Sequence, residues 1–217
     1  MPSSGRRPLP SRLYAIVDGD VASRAGWHVP DLAEAYLQAG VRLLQVRAKD
    51  APARDVLAWT EAIARRAGEA WVIVNDRVDI AIVAGTRHVH LGQDDLPVSD
   101  ARALLGPDAV IGLSTHTPAQ VDAACALPID YLAVGPVFST QTKATGYEAV
   151  GLAGVRQAHA AAQVARVPVV AIGGITLDTA SDVIEAGASA VAVITDLLRE
   201  GTPGARVRAF VERLGRI

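Results

Sequence analysis

The chain of 217 residues contains a single cysteine, Cys125, which excludes an internal disulfide framework and a cysteine-based zinc cluster. That scarcity fits a reducing compartment, and the role expected of Cys125 is helix packing. No stretch approaches the roughly 20 apolar residues that span a bilayer, because Arg, Asp or Gly interrupts every hydrophobic run early. Met1 to Arg12 carries Arg6, Arg7 and Arg12 among Pro, Ser and Gly, but lacks the continuous apolar core of a secretory signal. Residues 1–12 therefore read as a flexible lead-in, and the expectation is a soluble cytoplasmic protein with no membrane partner. An excess of either charge is also missing: the formal net charge is −2, which argues against a nucleic-acid surface and for small-molecule partners. No linker, charge block or low-complexity tract divides the chain.

What the chain does have is a repeating unit. Short β-branched or aliphatic runs recur at Leu13 to Val17, Val41 to Val46, Trp71 to Val74, His88 to Leu91, Val110 to Leu113, Tyr131 to Val134, Val169 to Ile172 and Ala190 to Ile194. Alanine-rich amphipathic stretches separate them, most clearly in the i, i+3, i+4, i+7 stripe of Val207, Phe210, Val211 and Leu214. Several of these helices close on a glycine suited to a C-cap, at Gly40, Gly85 and Gly187. Strict strand and helix alternation requires parallel strands with helical crossovers, and near-continuous apolar strands imply burial on both faces. Eight such units predict an α/β protein with one (β/α)8 TIM barrel over residues 13–217. A doubly wound open sheet is the alternative, but Asp18-Gly19-Asp20 does not supply the glycine-rich dinucleotide turn it would carry after the first strand.

A barrel of this kind places its active site at the C-terminal strand ends, so the polar residues after each apolar run are the candidates. The second run leads into Gln45, Arg47 and Lys49, which a period of two sends to one side, giving three contacts for a polyanion. A solvated strand exit with Arg and Lys turned outward is the competing reading. The third run ends in Asn75-Asp76-Arg77 and the fourth in Gln93-Asp94-Asp95. Asp76 and Asp95 suit Mg²⁺, which takes one or two protein carboxylates and otherwise keeps waters or substrate phosphates. Helix capping is the alternative for Asp76, Asp94 and Asp95, with the fourth helix starting near Pro97. Asp79 reads as a surface or capping group.

Thr117 before Pro118 has the signature of an N-cap, which leaves Ser114 available to donate to a phosphate. No Gly-x-Ser-x-Gly elbow surrounds Ser114, so a catalytic triad is not expected. His116 is either an acid or base or a structural residue. His88 and His90 share a face by spacing, but without a third ligand they do not make a zinc site. The polar segment Gly135 to Gly146 holds Ser139, Thr140, Thr142 and Lys143 and reads as a mobile phosphate-binding lid. Gly173 and Gly174 after the seventh strand, with Ile194 and Thr195 after the eighth, suggest a second, backbone-rich phosphate site.

Taken together, these strand-end motifs resemble thiamine phosphate synthases over Tyr14 to Asp196. The resemblance implies that Gln45, Arg47 and Lys49 hold pyrophosphate, that Asp76 and Asp95 bind Mg²⁺, and that Asn75, Ser114 and Lys143 contact a pyrimidine diphosphate. It further implies that Thr140, Thr142, Gly174, Ile194 and Thr195 hold a thiazole phosphate. The activity so implied is an alkyl transfer joining the two substrates with loss of pyrophosphate, in which Arg47, Lys49, Ser114 and Lys143 take the catalytic roles. A thiazole tautomerase of the same fold, using His116, is the nearest alternative; a non-catalytic phosphate-binding barrel is a third. Retention of the Asn75-Asp76 pair and of Asp95 favours the synthase. The segment Ala144 to Gly151 departs from the more charged, arginine-containing lid of many relatives, which leaves the roles of Tyr147 and Glu148 open. Oligomeric state, including a homo-oligomer, is not readable from the chain.

Overall fold

In the computed structural model, which describes residues 7–139 and 146–215, eight parallel strands close into a barrel in sequence order. The strands are β1 (Leu13–Asp18), β2 (Leu43–Arg47), β3 (Trp71–Asn75), β4 (His88–Leu91), β5 (Val110–Thr115), β6 (Tyr131–Val134), β7 (Val169–Ile172) and β8 (Ala190–Val193). Two helices, α1 (Gly19–Arg24) and α2 (Val29–Gln38), join β1 to β2. Then come α3 (Ala53–Ala64), α4 (Val78–Val83), α5 (Val98–Leu105), α6 (Pro118–Cys125), α7 (Gly151–Ala165) and α8 (Ala180–Glu185), one per crossover. After β8 a 3₁₀ turn (Thr195–Gly201) precedes α9 (Pro203–Leu214). β1 pairs with both β2 and β8, so no sheet edge is left exposed.

Period-two alternation divides the apolar residues into two shells. Leu13, Ala15 and Val17 of β1 join Leu44 and Val46 of β2 in the shell beneath the helices, whereas Tyr14, Ile16 and Leu43 face the barrel interior. The same phase puts Val170, Ala190 and Ala192 inside and Val169, Val191 and Val193 outside. Both faces of every strand are thus buried, which is why the runs are continuously apolar. The stripe expected on the last helix lies as read: Val207, Phe210 and Leu214 are buried and Val211 packs at the margin of the same cluster. The expected C-caps also form, with Gly40, Gly85 and Gly187 at φ of 107°, 74° and 108° just past α2, α4 and α8.

Two expectations are corrected and one alternative reading is set aside. β2 begins at Leu43, because the Val41 N–H is spent on the carbonyl of Tyr36 in closing α2. Asp76 does not cap α4, whose N-cap position is Arg77 with no side-chain hydrogen bond. Residues 7–12 are packed against the barrel: Leu9 is buried in the interior cluster, and Arg12 donates to the carbonyl of Leu214. Cys125 packs against the outer core, and Thr117 caps α6 by accepting from the Gln120 N–H. Asp79 forms an exposed pair with Arg77, which lowers its carboxyl below the ordinary value.

Candidate active site

Above the interior shell, at the C-terminal strand ends, opens a cavity of about 610 Å³. Its floor is the ring of Tyr14 with Ile16, Ala133, Val170 and Ala192, and Gln45, Arg47 and Lys49 stand together on one wall. The alternation inferred for β2 therefore turns those three side chains inward, against the reading of a solvated exit. Arg47 is anchored by an ion pair with Asp18, a buried residue directly across from it in the β1–β2 register. The other oxygen of Asp18 caps α1 by accepting from the Val21 N–H at 3.1 Å. One buried carboxylate thus holds both the first crossover and the orientation of the guanidinium.

Asp76 reaches the cavity through its backbone. At φ 62° it occupies the left-handed region, tolerated by aspartate far better than by branched residues. The turn is secured by hydrogen bonds from its N–H to the carbonyl of His90 (2.8 Å) and from the Arg77 N–H to that of Asn75 (2.7 Å). The Asp76 carboxylate lies 3.1 Å from Nζ of Lys49. Asp95 reaches the same wall from the β4–α5 loop and accepts the Gly92 N–H at 2.6 Å. Burial raises the Asp95 carboxyl above its ordinary value; the Gly92 N–H opposes that, and the adjacent Asp76 carboxylate adds to it. Two carboxylates crowded in this way favour a cation. Among the described residues no group of three or more His, Cys, Asp or Glu is placed to hold a metal, so any ion here would complete its shell with solvent or ligand oxygens.

Asn75, Ser114 and His116 line the same cavity. Nδ1 of His116 lies 2.6 Å from the carbonyl of Gly135, and its ring stacks on Tyr147 at a centroid distance of 4.3 Å. On the far wall are Gly173, Gly174, Ile194 and Thr195. Both glycines have positive φ, and a Cβ on Gly173 would lie 2.6 Å from the Pro136 backbone. The loop after β6 packs this closely because the Val137 and Phe138 N–H groups donate to the carbonyls of Ile172 and Gly173. Asp196, buried below Thr195, accepts from the Leu177 N–H at 3.0 Å and from Arg206 at 2.7 Å, fastening the loop after β7 to α9. Thr140, Thr142 and Lys143 lie outside the described residues. Every other residue expected at the site meets in this one cavity.

Comparison with known proteins gives the arrangement its family. A sequence profile of thiamine monophosphate synthases matches residues 13–197, the whole barrel from β1 into the turn after β8. The chain belongs to that family. A thiamine-phosphate synthase of Anaeromyxobacter dehalogenans is 44% identical over 97% of this chain and 92% of its own length. One of Koribacter versatilis is 41% identical over 94% and 95% respectively. Among solved structures, a thiamine phosphate pyrophosphorylase from Pyrococcus furiosus superposes with a TM-score of 0.82 at 27% identity, covering 94% of this chain and 95% of that one. As a member of the synthase family, the chain has a site richer than its strand-end motifs disclose. Asp18, His90 and the inward tyrosines Tyr14 and Tyr131 were not singled out as site residues. Asp18 follows from the strand-end rule applied to β1; the other three require the cross-barrel register.

Proposed function

We propose that this chain is a thiamine phosphate synthase, joining hydroxymethylpyrimidine diphosphate to a thiazole phosphate with release of pyrophosphate. The observation that carries the reading is one cavity with two unlike walls: Arg47 and Lys49 beside the Asp76 and Asp95 carboxylates, and the uncharged Gly173, Gly174, Ile194 and Thr195 opposite. A reaction between a diphosphate ester and a phosphate monoester uses both. The C–O bond to the diphosphate breaks with its electron pair leaving on pyrophosphate, the electron-rich aminopyrimidine carries the resulting positive charge, and the thiazole nitrogen lone pair forms the new C–N bond.

In this proposal Arg47, held by Asp18, and Lys49 stabilise negative charge growing on the leaving group, with Lys143 added from the segment after Ser139. Gln45, Asn75 and Ser114 orient the pyrimidine diphosphate. Asp76 and Asp95 would hold Mg²⁺, whose chemistry when bound is to neutralise pyrophosphate oxygens. The apolar floor excludes water from the cationic carbon. His116 would be the acid or base in the tautomerase alternative, but such a reaction has no use for the crowded carboxylates. Among the described residues no helix is long and apolar enough to cross a membrane, and a cytoplasmic location belongs to the same proposal.

The purified chain, given both substrates and Mg²⁺, is expected to form thiamine phosphate and an equal amount of pyrophosphate. Absence of product while thiazole phosphate still binds would rule the synthase out. A second expectation concerns the far wall. Asp196→Asn weakens the hold on the Leu177 N–H and Arg206, and should raise KM for the thiazole phosphate about tenfold, one charge-assisted hydrogen bond's worth. KM for the pyrimidine diphosphate should stay within a factor of two of wild type, roughly; steady-state kinetics with each substrate varied in turn checks this.

A further inference from the structure

Five polar side chains from five strands form one continuous hydrogen-bonded line through the barrel. Nε2 of Gln45 donates to the Tyr14 hydroxyl at 2.7 Å, and that hydroxyl lies 2.9 Å from the hydroxyl of Tyr131. The Tyr131 hydroxyl is 3.0 Å from Nδ1 of His90, whose Nε2 is 2.9 Å from Oγ of Ser114. Gln45 and Ser114, the two ends, open on the cavity. Tyr131, at the centre, is fully buried below it. The barrel is shaped around that ring: β5 carries Gly112 directly opposite Tyr131 in the register, and a Cβ there would sit 2.1 Å from the ring carbon that bears the hydroxyl.

Proton counting leaves the line two directions, and the one that starts at Gln45 is favoured because its reverse makes Tyr14 accept twice and leaves the proton of that buried hydroxyl without a partner on the line. A hydroxyl has one proton to donate. In that direction Tyr14 accepts from Gln45 and passes its own proton to Tyr131, and Tyr131 donates to Nδ1 of His90. The same direction puts the imidazole proton on Nε2, where it donates to Ser114. The remaining Ser114 proton is left for the cavity. Burial raises the pKa of both phenols far above neutrality, so they stay protonated donors.

We propose that Tyr131, with Tyr14 and His90, is a positioning device for the reaction: the one-way line holds Ser114 as a permanent hydrogen-bond donor toward the diphosphate ester. A serine without such a neighbour rotates and offers a lone pair as readily as a proton; an anionic oxygen is bound only by the proton. Naming that ligand rests on the synthase reading, whereas the direction of the line does not.

The test removes one oxygen atom that lies beneath the cavity. Tyr131→Phe is expected to lower kcat/KM for the pyrimidine diphosphate about tenfold, the effect of one misdirected hydrogen bond, and to leave KM for the thiazole phosphate unchanged. Ser114→Ala should lower it as much or more, and adding Tyr131→Phe to Ser114→Ala should cost nothing further. A line that acts through Ser114 is non-additive in this cycle; a merely structural Tyr131 gives losses that multiply, and that result overturns the proposal. Nitrogen-15 NMR of the ligand-free wild type reads the direction without turnover, with the His90 signal among five histidines assigned by its loss in His90→Gln. A neutral ring protonated on Nε2 supports the line, and a ring protonated on Nδ1 reverses it and sinks the proposal. Wild type that makes no thiamine phosphate but shows the Nε2–H ring counts against the synthase and still supports the line.

Discussion

Alanine at both Asp76 and Asp95 is expected to lower kcat for thiamine phosphate formation on the order of 1000-fold, the scale of losing a preorganised electrostatic contact to a leaving group. Loss of fold is not the reason. The two carboxylates crowd each other, and burial with that neighbour already raises the Asp95 carboxyl. The Asp76–Lys49 pair is open to solvent, with the lysine side chain 47% exposed, and so adds little stability. Alanine also gives up the acceptor of the Gly92 N–H and the tolerance of aspartate for φ 62°, which offsets that relief, so the melting temperature of the metal-free protein should stay close to that of the wild type. A ligand that binds only the folded state stabilises it by mass action, so Mg²⁺ with pyrophosphate should raise Tm in the wild type and not in the variant. A double variant that still made product at wild-type rate with Mg²⁺, and lost it with chelator, would place the metal elsewhere.

Gly112→Ala is expected to lower the stability of this barrel markedly. Glycine at this position in β5 makes room for the ring of Tyr131, three of whose atoms would lie within 2.4 Å of the new Cβ. The ring has no simple retreat, since it is stacked on His90 and edge-on to Tyr14, with its hydroxyl bonded to both. Overpacking of this kind costs about 3 kcal/mol, toward the upper end of what one inserted methyl does. For a chain of this length that corresponds to a fall in Tm of roughly 6–12 °C, read by calorimetry. Because the displaced ring belongs to the hydrogen-bonded line that ends at Ser114, activity at low temperature should fall as well. A variant that melts with the wild type would mean that Tyr131 can leave the interior at little cost.

The comparison of these two sites shows what kind of information residues carry. Asp76 and Asp95 were legible as a pair because each lies within four residues of the end of an apolar run, and strand ends of a parallel barrel converge whatever the strand lengths. The same rule placed Gln45, Arg47, Lys49, Asn75, Ser114, Gly173, Gly174, Ile194 and Thr195, all of which line one cavity. Gly112 and Tyr131 obey no such rule. Gly112 lies inside β5 and Tyr131 opens β6, where a glycine reads as a weak point and a tyrosine as an ordinary core residue. Their meaning comes from the pairing Gly112↔Tyr131 between β5 and β6, and from three further strands that bring Tyr14, His90 and Gln45 to the same line. Residues 7–12 escaped for a related reason: their composition is that of a solvated lead, and only the open lower end of the barrel gives Leu9 somewhere to be buried.

By itself the sequence determined the eight strand and helix units, the common side of Gln45, Arg47 and Lys49, the glycine-closed helices and the side of the barrel on which chemistry would gather. These are local properties, written in a period of two or of 3.6 residues and in the backbone preferences of glycine and proline. Tertiary structure alone decided that Asp76 turns into the cavity instead of capping α4, that Asp18 holds Arg47, and that five side chains connect Gln45 to Ser114 through the interior. Each of those depends on which residue of one strand stands beside which residue of another, and strand register is set when the closed barrel packs, not by the neighbours along the chain.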